Sequence, residues 1–340
     1  CGKSNLYRAM YLIAAAASGQ FARTLAEEGG MPSVLWAGAQ SKNERKRLVL
    51  HVRLSELEYK LICGLPIPSE SAFTLDPEIK REEIHFRKGA SRVRLLIRRG
   101  GNVTACDADG KRISFPLMVS SSESILSNLI EPHKFPEISR LRQEILGWRF
   151  YHQFRTDPGA PSRHPQIGVR TPVLSHDGSD LAAALQTIRE IGDVERLERS
   201  VHHAFPGASL GTGGRSGEFT VSMSMPGFHR PFAAKELSDG TLQYLCLLAA
   251  LLSPRPPGMM ALNEPETSIH PDLYEPLARL IADASTRTQV WITTHSRALS
   301  DYLLDLTGET PIELTKVGGA TKIVGANIAG EFEDDDDDDD

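Results

Sequence analysis

The chain has 340 residues, 40% hydrophobic and 24% charged, a composition that builds one large domain or two smaller ones with ample core and no need of covalent staples. No apolar run approaches the roughly 20 residues needed to span a bilayer, so any membrane role would act through a partner. Cys1, Cys63, Cys106 and Cys246 form no CxxC pair, which argues against a zinc site or disulfide framework and for a reduced, cytoplasmic setting.

The net charge of −6 is unevenly spread: nine negative charges sit in Glu331, Glu333 and Asp334 to Asp340, so residues 1–330 carry +3. Residues 328–340 therefore read as an acidic, disordered tail, with a nucleic-acid mimic as the sharper alternative.

In chain order, KSNLYRAMYLIAAAA (3–17) places apolar side chains at helical spacing and predicts a helix starting at the very terminus. From about 31 to 117 short alternating or β-branched runs, punctuated by Gly-Gly-Asn and Asp-Gly, predict an antiparallel β-rich lobe. Residues 121–155 read as helical, with Trp148, Phe150, Tyr151 and Phe154 as a core aromatic cluster. A Pro/Gly/Ser-rich loop (156–179) leads to a helical pair (179–204). Then come a helix (237–252), an apolar strand (259–263), a helix (271–285), a strand (289–294), a helix (296–305) and two short terminal strands. Strands alternating with helices imply a parallel sheet, with the ligand beyond the strand ends at Asn263 and Thr294.

Four segments carry chemistry. Gly2-Lys3-Ser4, at the head of a helix, matches the end of a phosphate-binding GxxxxGK-Ser/Thr loop. Lys3 would then reach the β- and γ-phosphates, Ser4 would bind magnesium, and Asn5 would continue the helix. Leu237-Ser238-Asp239-Gly240-Thr241 opens a second helix, where Ser238 can cap and small residues let a phosphate approach. Strand 259–263 ends in Asn263-Glu264-Pro265-Glu266, which puts Asn263 at the magnesium position and Glu264 at that of a water-activating base. Strand 289–294 leads to His295-Ser296, a histidine that capping alone could also explain.

A Gly-Lys-Ser helix, LSDGT, NEPETSIHP and TTHS in this order resemble the ABC-type P-loop ATPases, and within them the predicted ATPases related to RecF, SMC and OLD proteins. The stretches Glu123 to Ser127 and Trp148 to His152 also resemble that group, so the likeness covers nearly all of residues 1–327. It implies an α/β fold: a mostly parallel sheet with helices on its faces, an antiparallel β-rich lobe and a helical insertion. Residues 1–327 would be one ABC-type ATPase domain. Within it lie the P-loop helix and β-rich lobe (1–117), a mainly helical insertion (118–210) and a lobe with signature, Walker B and switch segments (211–327).

The resemblance further implies ATP and Mg2+ as ligands and a homodimer with ATP sandwiched between subunits. Gly2, Lys3, Ser4 and Asn5 would bind nucleotide, and Ser238, Asp239 and Gly240 would act in trans as the signature. Glu264 and His295 would be catalytic, Ser4 and Asn263 would face the metal, and Gln40 is the candidate for a glutamine-loop contact. Two departures stand out. The chain opens inside the Walker A loop, so an upstream strand and glycines are expected and this piece is expected to bind ATP poorly. Asn263 replaces the usual Asp, which lowers the charge offered to magnesium.

The expected function is ATP binding and hydrolysis serving DNA repair or defence against foreign DNA, with output through an effector protein. Its DNA side rests on Lys42, Arg45, Lys46, Arg47, Arg53, Arg92, Arg94, Arg98 and Arg99, although Arg92-Val93-Arg94 alternation equally describes a strand's solvent face. The alternative is a nucleotide-sensing scaffold with weak or no hydrolysis, motivated by Asn263. A transport ATPase is disfavoured by the insertion at about 120–210.

Overall fold

A computed structural model of the chain describes residues 2–38, 46–68, 70–89, 91–116, 120–214 and 217–325. Gln40, Lys42, Arg45 and the acidic segment 328–340 lie outside the described residues. The chain divides into two compact units, Cys1–Gly147 with Leu314–Lys322, and Trp148–Glu313.

In the first unit, α1 (Lys3–Ser18) runs between two glycines in the left-handed region, Gly2 at φ 105° and Gly19 at φ 81°. Its Ala-rich second half favours the helix and lets neighbours approach closely, with Ala16 and Ala17 fully buried. Two short helices follow, α2 (Phe21–Glu27) and α3 (Met31–Val34), so the lobe expected from about 31 begins as helix. Six strands then form one antiparallel meander: β1 (Leu48–Leu54), β2 (Leu57–Gly64), β3 (Glu78–Lys88), β4 (Ser91–Arg99), β5 (Asn102–Cys106) and β6 (Arg112–Pro116). Gly100, at φ 54°, and Gly101 make the two-residue turn between Arg99 and Asn102. Asp107 closes the next loop by accepting from the N–H groups of Asp109 and Lys111. Helices α4 (Ile125–Asn128) and α5 (Pro136–Leu146) pack against α1.

The sheet's inner face carries Leu57, Tyr59, Leu61, Ile84, Leu96 and Val103, all buried. At its centre Glu82 and Arg98 are paired at 3.0 Å and almost wholly enclosed. Glu82 also accepts from Tyr59 and Ser124 hydroxyls and the Ile125 N–H, while Arg98 donates to the carbonyls of Gly100, Ser120 and Glu123. Arg98 is thus a structural cation, and it drops out of the residues expected to touch DNA.

The second unit begins with β7 (Arg149–Tyr151), where the sequence suggested a continuing helix. The aromatic run ends helix α5 after Gly147 and pairs in parallel with β12, and the four aromatic residues are buried as core, as expected. Next come β8 (Gln166–Ile167), α6 (Leu181–Ile191), α7 (Val194–Ala204), β9 (Ser209–Gly213), β10 (Glu218–Ser224) and β11 (Phe232–Ala233). β10 is flanked by β8, β9 and β11 in antiparallel pairing. Then follow α8 (Asp239–Leu251), β12 (Met259–Asn263), α9 (Tyr274–Ser285), β13 (Gln289–Thr293) and α10 (Arg297–Thr307).

The parallel sheet has the order β13-β12-β7. Its central strand, Met-Met-Ala-Leu-Asn, is buried at every position, as a strand covered on both faces must be. α8 is buried from Leu242 to Leu251 and forms the middle of a core shared with α6, α9 and β12. A hairpin of β14 (Leu314–Val317) and β15 (Ala320–Ile323) closes the described chain.

Cys63, Cys106 and Cys246 are free thiols, and burial pushes the Cys63 thiol up to about 12. Among the described residues no helix is long and apolar enough to cross a membrane.

Candidate nucleotide site

The first unit contributes the head of α1. Gly2 stands at the N-cap, and its carbonyl accepts from the N–H groups of Asn5 and Leu6 at 3.0 and 3.3 Å. No carboxylate lies in the first turn and Gly2 has no side chain to cap with, so the helix presents the positive end of its dipole around Lys3 and Ser4. Glycine is required at position 2 on two counts: its positive φ, and the side chain of Thr321 lying where a Cβ would fall.

The second unit gathers the tips of β7, β12 and β13. Asn263, 5% exposed, ends β12, and its Oδ1 accepts from the Thr293 hydroxyl at 2.7 Å. Its Nδ2 lies 2.7 Å from Nδ1 of His152, just beyond β7. Glu264 is left-handed at φ 50°, and its N–H donates to the Thr293 carbonyl at 2.8 Å, so the backbone kinks at the strand's last ladder bond. The Glu264 carboxylate thereby lies 3.3 Å from Nε2 of His295, with both side chains reaching solvent. Glu266 is 8% exposed; its Oε1 accepts from the Thr294 hydroxyl at 2.6 Å and the N–H groups of His295 and Ser296 at 2.8 and 3.1 Å.

The LSDGT segment reaches the same loop. Ser238 caps α8, accepting from the Thr241 N–H at 3.1 Å. A Cβ on Gly240 would clash with the Ser268 carbonyl oxygen, so glycine lets α8 close on the chain that follows β12. Asp239 pairs at 2.5 Å with Arg163, which is 8% exposed. The same guanidinium donates to the carbonyls of Thr156, Ala234 and Leu237, fixing the approach to the helix.

The second unit thus brings together Asn263, Glu264 and His295, and joins Gly240 to their loop. Gly2, Lys3, Ser4 and Asn5 lie on the first unit. Sequence reasoning missed His152, Arg163 and the role of Glu266. Arg163 lies in a Pro/Gly/Ser-rich loop 76 residues from its partner, and no local pattern could have signalled it.

On the β-meander, Arg92 is engaged by Glu58 at 3.0 Å, whereas Arg94, Arg99 and Arg112 line a hollow of about 290 Å³ with Asn102 and Thr104.

The second unit sets a parallel sheet with helices on its faces behind the LSDGT, NEPE and TTHS segments, and the first unit carries the Gly-Lys-Ser helix and the antiparallel β-rich lobe. The chain belongs to the family described as "AAA domain, putative AbiEii toxin, Type IV TA system", which matches residues 1–301. Among solved structures it is similar to an Smc head bound to the C-winged helix domain of ScpA, with 13% identity, 96% of this chain and 88% of that one covered, and a TM-score of 0.49. It is also similar to an Smc head with an extended coiled coil, bound to the C-terminal domain of ScpA, from Pyrococcus furiosus, with 13% identity, 95% and 87% covered, and a TM-score of 0.45. No curated protein matches the chain.

Proposed function

We propose that the chain binds ATP with magnesium and hydrolyses it, with residues 1–327 working as one ATPase domain and two copies closing on the nucleotide. The observation that carries this reading is Glu264: a carboxylate at the tip of a wholly buried central strand, 3.3 Å from the histidine that follows the neighbouring parallel strand by two residues. Such a carboxylate can orient a water and take its proton as the water attacks a phosphorus, while His295 Nε2 can hydrogen-bond a phosphate oxygen.

The donors suit magnesium and triphosphate. Lys3 supplies a cation for phosphate, the Ser4 hydroxyl is a hard oxygen donor, and Asn263 Oδ1 keeps one lone pair beyond its bond to Thr293. Under this reading the nucleotide's phosphates and water would complete the magnesium shell. Bound magnesium would neutralise charge on the β- and γ-phosphates.

Glu264→Gln tests the assignment. It should cut ATP turnover by about a hundredfold or more while ATP binding persists; an unchanged rate removes Glu264 from catalysis. The second reading, a nucleotide sensor with little hydrolysis, is favoured by Asn263, whose amide brings no charge. Binding of ATP without turnover by the unaltered full-length protein would establish that reading instead.

For the biological role we favour a DNA transaction in repair or defence, with an effector protein as output. The support is the arginine-lined hollow on the meander. Replacing Arg94, Arg99 and Arg112 should weaken duplex binding and flatten its salt dependence; binding indifferent to salt would end the idea.

A further inference from the structure

The carboxylate of Glu266 has no task in the reading above, yet it is among the most engaged groups of the second unit. It is more than nine-tenths buried, and one oxygen gathers three donors from consecutive residues: the Thr294 hydroxyl and the His295 and Ser296 N–H groups. Those two N–H groups lie at the head of α10, whose positive end a carboxylate stabilises. The other oxygen, Oε2, is buried with no hydrogen-bond partner among the described residues. Among the described residues the carboxylate is therefore held by the turn, with no salt bridge to a cation.

The local chain explains how Glu266 gets there. After the left-handed turn at Glu264, the Thr267 N–H donates to the Glu264 carbonyl at 3.0 Å and the Ile269 N–H to the Glu266 carbonyl at 3.3 Å. These bonds curl the segment and carry the Glu266 side chain to the tip of β13. His295 has a contrasting environment: its side chain is 61% exposed, and its ring is engaged by Glu264 at 3.3 Å. An exposed ring whose contact among the described residues is with Glu264 is placed mainly by its backbone, and Glu266 holds that backbone.

We propose that Glu266 is a positioning residue: it ties the turn carrying His295 to the loop carrying Glu264 and so sets the distance between the two groups. The proposal rests on the hydrolytic reading of Glu264 and His295. Binding of ATP should tolerate loss of the tie, because the phosphate-holding groups of α1 are separate from it. The chemical step should not tolerate it.

The test uses the full-length protein. Glu266→Ala should lower kcat about tenfold with KM for ATP within about twofold, and Glu266→Gln, which keeps an acceptor oxygen, should retain kcat within about threefold. In a His295→Ala background Glu266→Ala should cause no further loss. The His295 imidazole resonance, identified among the eleven histidines by its disappearance in His295→Ala, should move in Glu266→Ala and stay in Glu266→Gln. If Glu266→Ala does not fold, Glu266→Asp, one methylene too short to reach the turn, takes its place. Equal losses of kcat with and without His295, or an unmoved resonance, overturn the proposal. Should the full-length protein turn over no ATP at all, the hydrolytic reading fails and the resonance alone decides whether Glu266 sets His295.

Discussion

The amide of Asn263 donates from Nδ2 to Nδ1 of His152 while its Oδ1 accepts from Thr293, which requires that this ring nitrogen carry no proton. An aspartate there would set a carboxylate oxygen against the same lone pair, and His152 would have to move its proton to Nδ1. Asn263 and His152 are thus matched, and Asn263→Asp has two consequences: the tautomer of His152 changes, and a negative charge is added where magnesium is expected. The half-saturating magnesium concentration for ATP turnover should fall about tenfold, as read from a magnesium titration at fixed ATP. An unchanged requirement would mean that residue 263 does not face the metal. The sequence alone picked out Asn263, Glu264 and His295, because each ends an apolar strand. It could not pick out His152 or its hold on Asn263, since the two lie 111 residues apart and meet only because β7 and β12 are neighbours.

Element by element, what was legible followed periodicity. The helix at 3–17, the meander with its Gly-Gly and Asp-Gly turns, and the strands at 259–263 and 289–294 all carry patterns that their own residues enforce. β7 was read as helix because three residues are too few to show alternation, and parallel pairing to a distant strand outweighed local preference. β9 and β10 passed unnoticed for a related reason: Gly and Ser dilute their alternation. In the meander, β4 reads as an exposed basic strand, yet its Arg98 points into the core and neutralises Glu82. Burial, with Glu82 next in effect, holds the Tyr59 phenol well above its ordinary pKa, so its proton remains in the bond to Glu82. Arg98→Met would leave Glu82 buried without its cation. The expected loss is about 3–5 kcal/mol in denaturant unfolding. A loss below about 1 kcal/mol, the worth of a surface pair, would mean that water reaches the carboxylate.

At the scale of the whole molecule, what the chain does depends on groups that one copy cannot bring to bear alone under the proposed reading. The head of α8 carries Ser238 and Asp239 exposed, with Gly240 holding the helix against the loop that follows Glu264. A phosphate from outside could therefore approach the positive end of α8, and its docking would press on the same loop that bears the Glu264 carboxylate. Under the proposed reading that coupling would give dimerisation a mechanical route to hydrolysis: closure on the γ-phosphate would reach Glu264 through Ser268, without passing through the core. It leads to a prediction that separates assembly from chemistry. In Glu264→Gln of the full-length protein, where the proposed reading leaves ATP bound but not consumed, ATP with magnesium should double the mass seen by light scattering from that of one chain. Adding Ser238→Arg, which crowds the α8 head, should return the mass to that of one chain with ATP still bound on filters. A doubled mass that survives Ser238→Arg would place the dimer contact elsewhere. A single-chain mass with ATP bound would leave the nucleotide site standing and remove the partner's α8 from it.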